Sequence, residues 1–557
     1  MAINNGPEIG PGEQLEWERQ HALAATELVI GIVGAVGTDL RGVSDEIGLA
    51  LDEFGYETTQ VGLSDLLHEL DWQAPLLDKP LDEQIATHMD AGDQLRERWE
   101  RPDALAMLAS QRIVELREQS DVVRRAYLLR SLKTPAEVET LRQVYGSRFI
   151  LIGVYAPDDE RNAFLTERIA KDRRTQRQDK WAHSPTTLMR RDESEQGEYG
   201  QNVRDTFPRA DCFVNSAKDN DLVGDLRRLL KIFFAHPFTT PTRDEFALCE
   251  AAGAARLSSE PGRQVGAALA SVGGDIIALG TNEVPRPGGG FYRADDDTSE
   301  IVDKREFEFD IEEGKRKVDT NDLVQREIAG EIVKALDGLL RKNAAADEVL
   351  RRILSTRLGA LTEFGRAVHA EMSALLDAAR KGHAVKGSTM YVTTFPCHNC
   401  ARHLLGAGVK RVVYIAPYAK SMAAVLHAGD ILVAHSSPPD DVLHFEPFVG
   451  VAPHRYLELF GDIKRKNDDG TLVDWDATTA IPRLFDAPPT ELRQNQPSYR
   501  VRELLLARAI EERESASGLK MRSSGSADGQ TSTASKTQAE RQPTSTKTRP
   551  SRRTAST

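Results

Sequence analysis

Two kinds of apolar run alternate along this chain. Glu27 to Val33 is almost continuously apolar and leads into the glycine-spaced turn Gly34-Ala-Val-Gly37-Thr38-Asp39, which predicts a buried strand followed by a tight loop. Leu40 to Phe54 then places Val43, Ile47, Leu49, Leu51 and Phe54 at roughly helical spacing, and Tyr56 to Gly62 is β-rich. Arg148 to Ala156 predicts a second buried strand, followed by a charged helix carrying Arg161, Arg168, Lys171 and Arg173, and Ala210 to Asn215 predicts a third strand. Helices alternating with buried strands predict a parallel, doubly wound sheet.

A second α/β pattern starts near Pro241. It comprises a helix over 244–257, a hairpin of strands 265–271 and 276–280 around Gly273-Gly274-Asp275, a helix over 368–380, a strand from Met390, a helix over 397–407 and a strand from Arg411. Between them lies a charged insert with helical stretches at 323–340 and 346–358, expected to fold outside the sheet. The expected organisation is a polar leader (1–25), a first domain (26–235), a second domain (236–465, insert about 295–358), an extension (466–514) and a tail (515–557). That tail is rich in Ser, Thr, Gln and Arg and lacks apolar periodicity, so it is expected to be disordered.

A chain of 557 residues, 40% hydrophobic and 28% charged, has room for two or three packed cores. It contains no run of about 18 apolar residues and starts without a basic, apolar leader, so a cytoplasmic location away from any membrane is expected. The net charge is −14, and the tail is basic, so the remainder is more acidic still. Such a body disfavours a polynucleotide backbone but not a small nucleotide, which needs only one or two cations in a pocket. Four cysteines, two of them in a Cys-x-x-Cys pair, favour a metal site over a disulfide framework.

That pair carries the chemistry. His369-Ala-Glu371 is followed by Pro396-Cys397-His398-Asn399-Cys400, which offers three metal ligands (His369, Cys397, Cys400) and leaves one coordination position open. Removing ammonia from a cytosine at neutral pH needs an activated water, which a zinc ion with an open position supplies. Glu371, two residues past the histidine, is placed to shuttle the proton. The pattern is the signature of zinc deaminases of bases. A structural zinc site or a redox pair is the alternative; the first would want a fourth ligand, and the second gives no reason for His-Ala-Glu.

On these motifs, residues of about 240–300 and 360–465 resemble the cytidine/deoxycytidylate deaminase superfamily, in its deoxycytidylate branch. The resemblance implies a five-stranded mixed sheet with helices on both faces, Zn2+ as cofactor, and a role for Asn282 in holding the nucleotide. Arg263 and Lys420 are candidate phosphate contacts, each equally readable as solvated surface. The family's usual polar residues before the histidine are replaced here by Gly365-Arg366-Ala367-Val368, so regulation is expected to differ. Free deoxycytidylate deaminases bind an effector triphosphate and form homo-oligomers, so both are implied for this chain. Phe445 to Tyr456 either closes over the base or packs the sheet edge.

In the first half Gly34, Gly37 and Thr38 form a strand-to-helix loop of the kind that cradles phosphate, but no register puts a lysine where a phosphate-loop kinase carries one. The half resembles a degenerate P-loop nucleotide kinase. A kinase-like domain followed by a deoxycytidylate-type domain resembles bacterial anti-phage dCTP deaminases, which implies depletion of dCTP, a regulatory first half with a nucleotide effector, and a repressing RNA or protein. Two other functions use the same residues differently. A deaminase of single-stranded polynucleotides would need a basic groove with stacking aromatics, whereas aromatics are only 6% here. A nucleotide-sensing scaffold would have no use for a proton shuttle beside an open metal position.

Overall fold

The computed structural model describes residues 27–519 except 73–75, 120–121, 123, 175–182, 196–198, 297–303, 306–318, 337–338, 340–344, 362, 418–420, 435–438, 440 and 484–498. The expected leader and nearly all of the expected tail therefore lie outside the described residues, and so does Lys420.

The first half is built on strands β1 (Leu28–Gly34), β2 (Glu57–Gly62), β3 (Arg125–Arg130), β4 (Phe149–Tyr155) and β5 (Cys212–Asn215), in the order β5-β4-β1-β3-β2 and all parallel. Every residue of β1 is buried because both of its faces are covered. Leu28, Ile30 and Ile32 pack in one cluster with helices α1 (Leu40–Asp52) and α8 (Leu222–Phe233). Val29 and Val33 pack in another with α2 (Leu81–Trp99), α3 (Ala104–Glu118) and α4 (Pro135–Tyr145). This is the doubly wound arrangement the pattern predicts. Strand β3, between β1 and β2, is absent from the sequence reading, since arginines at both ends disguise its apolar centre. Arg125 is nonetheless buried, donating a hydrogen bond to the Leu116 carbonyl.

The second half holds β6 (Gly266–Ala270), β7 (Ile276–Thr281), β8 (Thr389–Thr394), β9 (Arg411–Ala416), β10 (Ile431–Val433) and β11 (Leu443–Pro447), in the order β10-β11-β9-β8-β6-β7. The β6–β7 and β6–β8 pairs are antiparallel and the rest parallel. Six strands stand where five were expected, because the three-residue β10 adds its main-chain bonds to β11. Helix α9 (Arg243–Ala255) covers one face, while α12 (Ala370–Lys381) and α13 (His398–Ala407) cover the other. The insert contributes α10 (Thr320–Ala335) and α11 (Ala346–Leu354), which pack on each other, and its described residues add no strand.

The halves share one core. A single cluster runs from Val29 and Phe213 through Phe448 to Leu248, Ala268, Tyr391 and Val413. Gly450 and Val451, which the sequence reading assigns to the second domain, form β12 and pair antiparallel with β5 of the first sheet. Of the segment from Phe445 to Tyr456, Phe445 to Pro447 lie inside the second sheet as part of β11, and Gly450–Val451 pack the edge of the first. Glu245 of α9, fully buried, accepts hydrogen bonds from Arg228 of α8 and from the Val451 backbone, and so ties the three pieces together. The extension also returns to the first half. Trp475 donates to the Phe234 carbonyl, and in helix α14 (Tyr499–Ser517) Glu503 shares Arg117 with Glu27.

At the second sheet Arg411 bridges Asp244 and Glu446, and His444 lies 2.7 Å from Glu446. Burial pushes the Glu446 carboxyl up, but His444 and Arg411 outweigh it and hold it at about 2, below its ordinary 4.5. A depressed carboxylate stabilises the fold above its unfolded value and stops doing so as pH falls through the folded one. The urea midpoint of the wild type should therefore exceed that of Glu446→Gln by a constant margin above pH 5. The margin should shrink between about pH 4.5 and 2; one independent of pH would show that the ion pairs contribute nothing.

Candidate active site

The metal-ligand candidates sit at two helix starts brought side by side. His369 is the N-cap residue of α12, with extended backbone, and Val368 donates to Glu283 just before it. Glu371 falls in the first turn of the same helix and is 4% exposed. Cys397 is the N-cap of α13, and its sulfur accepts from the Cys400 amide at 3.4 Å. Helix N-termini favour anions, so the thiolates and the carboxylate are placed where backbone dipoles stabilise them.

Close packing sets the position of α12. A side chain at Gly280 of β7 would run into the Ala370 carbonyl oxygen and the Ala374 amide nitrogen, so the helix backbone lies directly on the strand. Ser373 accepts from the Thr281 amide at 3.2 Å and fixes the helix along its axis.

In a tetrahedral zinc site, with bonds of about 2.0 Å to nitrogen and about 2.3 Å to sulfur, imidazole and thiolate donors stand roughly 3.5 Å apart. Here Nδ1 of His369 is 3.3 Å from Sγ of Cys397 and 3.4 Å from Sγ of Cys400. The three donor atoms lie within 4.8 Å of one another, the only such cluster among the described residues. The spacing and the donor chemistry fit zinc with one position open. The hydrogen bond between the two thiols, and then His369, hold Cys397 well below its ordinary value, while the same contact and burial push Cys400 up, so the pair shares a proton that a metal would displace. Burial pushes the Glu371 carboxyl up, and its Oε2 lies 3.4 Å from the Cys400 sulfur.

His369, Glu371 and Cys397 line a cavity of about 410 Å³, within the size range of small-molecule sites. Asn282 is on its wall, but its side chain is engaged: Oδ1 accepts from the Val265 amide at 2.7 Å and Nδ2 donates to the Arg263 carbonyl at 2.9 Å. Asn282 therefore shapes the loop that carries Arg263, which also lines the cavity. Several wall residues were missed by the sequence reading, three of them from distant segments. Asp319 and Asn321 come from the start of the insert helix, and Arg204 comes from α7 (Val203–Thr206) of the first half. No local motif marks any of them.

Residues 241–416 match the family model described as the cytidine and deoxycytidylate deaminase zinc-binding region. The matched region contains all three metal-ligand candidates and Glu371. Among curated relatives, the deoxycytidylate deaminase of Enterobacteria phage T2 is 46% identical over 54 residues, 10% of this chain and 29% of that protein. The deoxycytidylate deaminase of Homo sapiens is 36% identical over 75 residues, 13% of this chain and 40% of that protein. The matched stretches thus span under half the length of either relative. A dCMP deaminase structure from the cyanophage S-TIM5 aligns with 38% of this chain and 99% of its own, at 18% identity and a TM-score of 0.20.

In the first half, Gly34 ends β1 and Gly37 and Thr38 follow it before α1, at the point where neighbours β3 and β4 leave in opposite directions. That is where open parallel sheets bind ligands. Gly37 has φ +91°, and a side chain there would strike the Arg161 carbonyl. The loop is occupied by the protein's own groups. Buried Asp192 accepts from the Val36 amide at 2.7 Å and from Lys133 at 2.6 Å, and Lys133 also reaches the Gly34 carbonyl. Lys133 reaches this loop from beyond the end of β3, too far away in sequence to be recognised, and its charge is paired with Asp192. Thr38 Oγ1 is buried with no hydrogen-bond partner among the described residues.

Proposed function

We propose that this chain deaminates free deoxycytidine nucleotides, dCMP and dCTP, to the uracil products with release of ammonia. It would thereby drain the dCTP pool in defence against phage, with the first half regulatory. The observation that carries the reading is the close cluster of His369, Cys397 and Cys400 with buried Glu371 beside it, where His369, Cys397 and Glu371 line a cavity in the size range of small-molecule sites. The resemblance of the two halves, in their order, to anti-phage dCTP deaminases supports the biological role, and the Gly34–Thr38 loop is where a nucleotide effector would act.

Bound at the three ligands, zinc would supply an activated water at neutral pH. The chain does the rest. Glu371 takes one proton from the attacking water and delivers it to the ring nitrogen, then takes the second from the hydroxyl added at the ring carbon and delivers it to the departing amine, so that the carbonyl forms as the C–N bond breaks; its raised pKa suits it to carry protons in both directions. The cavity walls would place the pyrimidine beside the carboxyl.

The test is ammonia release from the purified protein with dCMP, dCTP, CTP and a single-stranded deoxyoligonucleotide, with and without a zinc chelator. Turnover of the deoxynucleotides, at least about 100-fold lower after chelation, is expected. Turnover confined to the oligonucleotide would replace this reading with polynucleotide editing, and no turnover of any substrate by zinc-loaded protein would favour a nucleotide-binding scaffold.

A further inference from the structure

We infer that Arg204 and Arg263 form a clamp for the substrate's phosphates, so that the first half supplies a specificity-determining residue to the deaminase cavity. The inference rests on the proposed nucleotide substrate. Both side chains line the cavity that holds His369, Glu371 and Cys397. They converge on a single anionic oxygen: Oδ1 of Asp205 is 3.5 Å from Nε of Arg204 and 3.6 Å from Nη2 of Arg263. Neither contact is a proper hydrogen bond. Nε of Arg204 is itself buried without a hydrogen-bond partner among the described residues, so the exposed third of this side chain lies in its other atoms.

Two guanidinium groups around one carboxylate oxygen are arranged as they would be around a phosphate oxygen, and phosphate, with more charge and more acceptors, satisfies them better. All three side chains are accessible to a ligand, being 32%, 38% and 46% exposed for Arg204, Asp205 and Arg263. Other charges on the wall narrow the path. Glu260 and Asp319 also line the cavity and repel a polyphosphate, while the base end is set by Glu371 and the metal ligands, so the phosphates run towards the arginine side. Position is secured from both halves. Asn282 holds the Arg263 carbonyl, and Asn202, which caps the helix carrying Arg204, donates its amide to the Lys133 carbonyl beside the Gly34–Thr38 loop.

The experiment compares kcat and KM for dCTP, dCMP and deoxycytidine in the full-length, zinc-loaded wild type, Arg204→Ala and Arg204→Lys. Arg209→Ala, which removes only an exposed pairing with Glu139, is the control. Losing a charged hydrogen-bond donor should raise KM for dCTP about 10- to 100-fold at nearly constant kcat, with a smaller rise for dCMP and the smallest for deoxycytidine. Lysine should recover part of the loss. Inorganic triphosphate, titrated calorimetrically, should bind wild type at least about tenfold more tightly than Arg204→Ala. Equal triphosphate affinity, or a KM effect no larger for dCTP than for deoxycytidine, overturns the clamp. A wild type that turns over no nucleotide defeats the proposed function instead, and the triphosphate titration still decides the clamp.

Discussion

Glu371→Ala is expected to lower kcat for deoxynucleotide deamination about 10³-fold or more while leaving the zinc content and the melting temperature close to wild type. General acid–base catalysis by one positioned group contributes roughly 10² to 10⁴, and here the same carboxyl serves both proton transfers. Its burial, and its position in the first turn of the helix that His369 caps, leave no other titratable side chain of that helix turn as a substitute. Zinc analysis, melting and steady-state kinetics on one preparation separate the outcomes. Retained turnover would place the shuttle elsewhere, and lost zinc would make Glu371 a ligand.

Gly280→Ala should be nearly as damaging, though it changes no polar atom. Its added methyl meets the backbone of α12 at Ala370 and Ala374, and a backbone cannot turn aside as a side-chain tip can. The helix must back away from β7, taking His369 and Glu371 with it. Overpacking of this kind costs about 1 to 3 kcal/mol, and zinc occupancy and kcat should fall together, because donor positions tolerate only fractions of an ångström. Gly253→Ala is the matched control. A methyl at that helical glycine of α9 meets nothing within 4 Å, so it should be neutral or stabilise slightly, by up to about 1 kcal/mol. If the two variants behave alike in zinc content and melting, contact with α12 is not what places the ligands.

The two results test different links in one chain of cause: the first removes the chemistry from an intact site, and the second moves an intact set of residues out of register. Zinc content tells them apart.

Local spacing determined what could be read from the sequence alone. His369 and Glu371 are two residues apart, Cys397 and Cys400 a helical turn apart, and such short separations fix relative position before any tertiary contact forms. The buried strands over 28–34 and 149–155 were legible for the same reason, since strands covered on both faces must be continuously apolar. Strand 125–130 was not, because paired arginines at its ends interrupt that signal, and neither was β12, whose two residues are defined only by the strand they join. Arg204 on the cavity wall, Lys133 at the Gly34–Thr38 loop and Asn282 turned to hold the loop of Arg263 were decided by tertiary structure alone. Each depends on contacts between segments distant in the chain, and a long-range contact leaves no periodicity or spacing in either segment from which it could be read.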